Sequence, residues 1–141
     1  ETLPLRMEKH CKNALKVATW LEKNKNVEWV SYAGLPSSPY NKLAKKYCPD
    51  GAGSVFTFGV KGGYEMGISV IENIKMLSHV ANIGDTRSLI IHPASTTHRQ
   101  LTDEQKVAAG ASPEVIRLSI GIESAEDIIK DLEQAMNNAA K

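Results

Sequence analysis

Arg117 sits in the run Val115-Ile116-Arg117-Leu118-Ser119-Ile120, whose alternation places Ile116, Leu118 and Ile120 on one face and Val115, Arg117 and Ser119 on the other. A guanidinium held on a rigid strand is suited to gripping a carboxylate through two parallel hydrogen bonds. The same pattern also suits an arginine on a wet sheet face, and spacing alone leaves both readings open. The four histidines, His10, His79, His92 and His98, raise the question of a metal. His92 and His98 are separated by the Pro93 break and have no cysteine or carboxylate at ligand spacing, so the reading is hydrogen-bonded or solvated imidazole and no metal site. Gly59-Val60-Lys61-Gly62-Gly63 carries glycines between a strand and a helix, but it lacks the spacing of either nucleotide fingerprint and reads as a turn. Lys42, Lys45 and Lys46 have no interleaved aromatics and form a charged helix face.

These residues must be positioned by alternating strands and helices. Apolar residues at Cys11, Ala14, Leu15, Ala18 and Leu21 recur at threes and fours, which predicts a helix over Leu5 to Leu21 with Pro4 in its first turn. Val27 to Tyr32 predicts a strand leading into the turn-rich Gly34 to Pro39, and Asn41 to Tyr47 a short basic helix. Ser54 to Val60 alternates with period two and predicts a second strand. Tyr64, Gly67, Ile68, Ile71, Ile74 and Leu77 mark one side of a helix. Val80 to Ile83 and Ser88 to Ile91 read as two short strands across Gly84-Asp85. Thr102 with Gln105 fits a capping box ahead of a short helix that Gly110 stops. Val115 to Ile120 is a strand, and Ser124-Ala125-Glu126-Asp127 caps a last helix striped by Ile128, Ile129, Leu132, Ala135 and Met136. The expected fold is a single α/β domain over 1–141, with a small, largely antiparallel sheet of short strands covered by helices.

With 42% hydrophobic and 23% charged residues among 141, the chain has a core and no sign of disorder. Seventeen Lys plus Arg against sixteen Asp plus Glu leave a formal charge of +1, too balanced for an electrostatic hold on nucleic acid or an anionic membrane. Cys11 and Cys48 are too few for a disulfide scaffold, which points to a reducing, cytoplasmic setting. No apolar run approaches the roughly 20 residues of a membrane helix. The chain starts at Glu1 and enters a helical pattern almost at once, as a piece of a longer protein would.

Several stretches taken in order resemble one family. They are Glu1-Thr2-Leu3-Pro4-Leu5-Arg6-Met7, Gly34-Leu35-Pro36-Ser37-Ser38-Pro39, Lys61-Gly62-Gly63, the Ser88 to His98 run, and Arg117-Leu118-Ser119-Ile120-Gly121-Ile122-Glu123. Together they resemble the Cys/Met-metabolism pyridoxal-phosphate enzymes, and within them the O-acetylhomoserine sulfhydrylases. The resemblance covers nearly the whole chain and corresponds to the C-terminal domain of a fold-type I enzyme. It implies that Arg117 pairs with the α-carboxylate of an amino-acid substrate. Asn82, in Asn82-Ile83-Gly84-Asp85, stands where many relatives carry a Ser that helps hold that carboxylate, and Thr97 falls on the family's Thr before His near the same pocket. Ala81 stands where related lyases often carry an acid, which favours sulfhydrylation.

The resemblance further implies a transferase of methionine biosynthesis in which sulfide or a thiol replaces acetate on O-acetylhomoserine. Its pyridoxal phosphate would be bound by an upstream large domain, and the intact enzyme would be a homo-oligomer, typically a tetramer. The family's Schiff-base lysine lies in a Ser-x-x-Lys context, and no lysine here does, so this chain by itself is expected to be inactive. Two alternatives stand beside this reading: a cystathionine synthase or γ-lyase relative, and a stand-alone, non-catalytic α/β module.

Overall fold

Period-two and period-3.6 patterns become five strands and five helices in the computed structural model, which describes residues 1–141. The first helix, α1 (Leu3–Leu21), carries Pro4 in its first turn and turns His10, Asn13, Ala14, Val17, Ala18 and Leu21 inward. Then follow β1 (Val27–Ser31), α2 (Asn41–Tyr47), β2 (Val55–Val60), α3 (Gly63–Asn73), β3 (Ser78–His79) and β4 (Leu89–Ile91). A 3₁₀ turn at Pro93–Ser95 precedes α4 (Asp103–Ala108), β5 (Val115–Ser119) and α5 (Ala125–Ala139).

The strands form one sheet in the order β1-β2-β5-β4-β3. Every pairing is antiparallel except β3 with β4, which is parallel. β5 is therefore paired on both sides. Phe56 and Phe58 of β2, Ile90 of β4, and Ile116 and Leu118 of β5 face α1, α3 and α5, and together they form the hydrophobic core. Burying such side chains, each worth roughly 1.5–3 kcal/mol, is what makes β5 a rigid mount. No helix is long and apolar enough to cross a membrane.

Three local expectations are corrected. The helix marked by Tyr64 to Leu77 ends at Asn73, because the buried carboxylate of Asp131 in α5 draws the chain out of the helix. It accepts from the backbone N–H groups of Lys75 (3.0 Å), Met76 (2.8 Å) and Leu77 (3.0 Å). Val80 to Ile83 is not a strand. Pairing with β4 occurs earlier, at Ser78 and His79, and the residues after it form a loop tied to the far end of β5. Ser124 does precede α5, but its hydroxyl accepts no backbone N–H of the helix as a cap would and donates instead to Glu126. By contrast, Thr102 and Gln105 form the reciprocal capping box of α4, and Gly110 follows with φ of +71°.

Candidate functional site

Arg117 is the middle residue of the central strand, opposite Thr57 of β2 and Ile91 of β4. Its neighbours in sequence, Ile116 and Leu118, are fully buried among the helices, so the alternation sends the arginine to the opposite face of the sheet. It is half-buried, and none of the chain's four ion pairs includes it. A cation fixed on a strand with no carboxylate of its own is prepared to accept one from outside.

Two residues along β5, Ser119 shares Arg117's face and is buried. Its Oγ accepts a hydrogen bond of 3.3 Å from the backbone N–H of Gly84. This single bond brings the loop holding Asn82 to the strand holding Arg117. Further bonds fasten the same loop. Ile122 N–H donates to Thr86 O at 2.9 Å, and Arg6 of α1 reaches Gly84 O at 3.4 Å. Ser88, fully buried, gives its N–H (2.6 Å) and its hydroxyl (2.9 Å) to the two carboxylate oxygens of Glu123, while its Oγ accepts from Gly121 N–H at 2.9 Å. Gly121 has no room for a side chain, since a Cβ there would collide with Glu123 Oε2 and the carbonyl of Thr86. From the helix side, Asn13 Nδ2 donates to Gly121 O and Glu123 O, and His10 Nδ1 donates to Ile120 O. In Arg117-Leu118-Ser119-Ile120-Gly121-Ile122-Glu123, every second residue beyond the arginine thus anchors or admits the loop. The anchoring roles of Ser88, Ser119 and Glu123 could not be read from spacing, because their partners lie more than thirty residues away.

Asn82 is exposed at the tip of this loop and its Oδ1 accepts from Ile83 N–H at 2.8 Å, which leaves its Nδ2 donors facing solvent. Thr97 lies on the other connection of β4, beyond the 3₁₀ turn. It is exposed, and its Oγ1 bonds the Nδ1 of His98 at 2.8 Å; no hydrogen bond joins it to Arg117 or Asn82. The structure therefore joins Asn82's loop to Arg117's strand through Ser119, whereas the hydrogen bond of Thr97 is to its neighbour His98.

His92 is fully buried, with Nε2 donating to Pro113 O at 2.7 Å and Nδ1 accepting from Ser95 Oγ at 2.9 Å. Burial pushes its imidazole below the ordinary value, and His79 adds a smaller push, against the Pro113 bond that favours the cation. It serves the fold as a neutral side chain. No group of three or more His, Cys, Asp or Glu side chains is gathered as metal ligands would be. Every lysine except Lys106 is exposed, and Lys106 pairs with Asp103 at 3.2 Å.

Three concavities lie elsewhere. Cavities of about 870 Å³ and 300 Å³ share Glu8, Cys11, Cys48, Asp50 and Gly51 in their linings, and one of about 420 Å³ lies by Trp20, Lys23 and Glu133. Arg117 lines none of the three.

The sequence profile of a family described as Cys/Met metabolism PLP-dependent enzyme matches residues 1–137. Over 136 residues the chain is 51% identical to O-acetyl-L-homoserine sulfhydrylase 1 of Thermus thermophilus, covering 96% of this chain and 32% of that protein. It is 50% identical over 139 residues to a homocysteine synthase of Schizosaccharomyces pombe, covering 99% of this chain and 32% of that one. A crystal structure from Campylobacter jejuni, described as an O-acetylhomoserine (thiol)-lyase with a pyridoxyl-lysine phosphate, superposes with a TM-score of 0.89 at 43% identity, covering 96% of this chain and 32% of that one. The chain thus spans about a third of the length of the relatives it matches.

Proposed function

The chain belongs to the Cys/Met-metabolism family of PLP-dependent enzymes, and from that membership we propose that it is the substrate-carboxylate-binding part of an O-acetylhomoserine sulfhydrylase. The observation that carries the reading is Arg117: half-buried on the central strand, outside every ion pair, and joined through Ser119 to the loop of Asn82. Its guanidinium receives the α-carboxylate of the amino acid through two parallel hydrogen bonds. Asn82 Nδ2 supplies a further donor at the mouth of the same face, and Thr97 is assigned to its rim. The binding energy goes into orienting the substrate's α and β carbons for proton removal, a matter of placement more than of charge.

Pyridoxal phosphate, when bound to the intact enzyme, supplies the electron withdrawal that this chemistry requires. The residues of this chain do not fit that group. Imine formation needs a neutral amine in an enclosed site, whereas the lysines here are exposed or, in Lys106, ion-paired. The cofactor is therefore assigned to a preceding large domain of the same enzyme, and this chain alone has no catalytic lysine. Sulfide or a thiol replaces acetate in the reaction of the whole, within a homo-oligomeric transferase of homocysteine synthesis in the cytoplasm.

The test is Arg117→Lys in the full-length enzyme. A point charge cannot reproduce the fork, so KM for O-acetylhomoserine should rise roughly 10- to 100-fold, the equivalent of about 1.5–3 kcal/mol for a charged hydrogen-bonded pair, with the cofactor's visible absorbance unchanged. An unchanged KM would remove Arg117 from this role. Product analysis with sulfide against cysteine as nucleophile separates the sulfhydrylase from a cystathionine synthase.

A further inference from the structure

The Asn82 loop has no ladder of its own, so its distance from Arg117 is set by side-chain anchors. Among these, Glu123 is unlike the rest. Both of its carboxylate oxygens are taken by one residue, Ser88, through the backbone N–H at 2.6 Å and the hydroxyl at 2.9 Å. Ser88 Oγ then accepts from Gly121 N–H at 2.9 Å, closing a ring of three hydrogen bonds that joins β4's entry to β5's exit. Two of the three are charge-assisted, and Ser88 is wholly buried, so water cannot replace the partner it would lose.

We infer that Glu123 is a positioning residue for the carboxylate pocket, fixing the loop of Asn82 against the strand of Arg117 through Ser88. This rests on the carboxylate-binding reading of Arg117 given above. Both Glu123 oxygens are committed to Ser88, and Arg117 takes part in none of the chain's four ion pairs, so the clamp and the guanidinium are separate parts of the same β5 segment. Gly121 completes the device: without a Cβ it lets Thr86 and Glu123 approach from either side.

The experiment uses the full-length enzyme with Glu123→Ala, Glu123→Gln, Ser88→Ala and, in parallel, Arg117→Lys. Glu123→Ala should raise KM for the amino-acid substrate roughly tenfold with kcat within about threefold, because misplaced binding groups weaken substrate orientation. Glu123→Gln should recover KM to within about threefold of the parent, since the amide oxygen still accepts from Ser88 N–H and its N–H₂ can donate to Ser88 Oγ. Hydrogen exchange over residues 82–88 should speed up in the Ala variant while β2 and β5 stay protected. A Glu123→Ala enzyme with parental KM, or one that loses kcat alone, overturns the inference while leaving the reading of Arg117 intact if Arg117→Lys still raises KM. If Arg117→Lys leaves KM unchanged, the reading itself fails and the inference with it. Should Glu123→Ala not fold, Ser88→Ala removes the two clamp bonds made by the hydroxyl, and an unchanged KM there overturns the inference equally.

Discussion

His92 shows at the scale of one residue how burial decides what a side chain can do. The ring is packed against α3 so closely that a Cβ on Gly67 would lie 2.5 Å from its Nε2, and the edge of Tyr64 meets it at 5.3 Å between centroids. It has a donor and an acceptor role, both filled, and holding a proton there costs desolvation. Its pKa in the fold is therefore lower than in the unfolded chain, where it is about 6.5. Between those two values the unfolded state binds more protons, so stability is complete above about pH 6.5 and is lost as pH falls through that window. The melting temperature should drop as pH is lowered from about 7.5 to about 5, and the drop should shrink in His92→Gln, which cannot titrate. Identical slopes in the two proteins would mean that other groups dominate. Tyr32 is the opposite case. Burial, helped by the Cys11 thiol, pushes its phenol up to about 12, so it stays a donor to Gly53 O.

Single long-range carboxylates define where elements stop. Asp131 of α5 holds three consecutive amides after α3 and is itself bonded by Gln134 Nε2 at 3.1 Å, so it both ends one helix and docks it on another. Asp131→Ala leaves those amides without partners and should lower the free energy of unfolding by about 3 kcal/mol, read from the urea midpoint at constant m-value. The β5 exit is equally intolerant of change. Gly121→Ala should destabilise by about 1–3 kcal/mol, since the new methyl meets a backbone carbonyl that cannot turn away, and it should also loosen the 82–88 loop. Ser, which adds the same Cβ, should do no better. Near-parental stability for Gly121→Ala would mean that the Thr86 carbonyl can yield.

At the scale of the whole molecule there is a single core of 21 buried apolar residues shared by α1, α3, α5 and the sheet. A chain built around one core should unfold in one step. Trp20 packs against that core from α1, while Trp29 lies on the edge strand β1, so fluorescence reports α1 and the β1 edge. Circular dichroism and fluorescence should give coincident transitions, and Leu118→Ala, at a fully buried position of β5, should move both by the same amount, about 2–5 kcal/mol. Two separated transitions would show that the α1 and β1 region unfolds apart from the rest of the core.

The amino-acid order alone determined whatever depends on residues close along the chain. Alternation in Ser54 to Val60 and Val115 to Ile120, helical spacing from Cys11 to Leu21 and from Ile128 to Met136, the Thr102–Gln105 box and the side of β5 on which Arg117 sits are all local patterns, and each reappears in the fold. Only the tertiary structure decided the rest. The path of 75–88 is set by Asp131, Ser119 and Glu123, which lie 35 or more residues from their partners. Their hydrogen bonds outweigh the weak propensity of a short apolar run such as Val80 to Ile83. Whether a charged side chain finds a partner is likewise a property of the assembled fold: Glu123 meets Ser88 only once β4 and β5 have met, while Arg117 is in none of the four ion pairs.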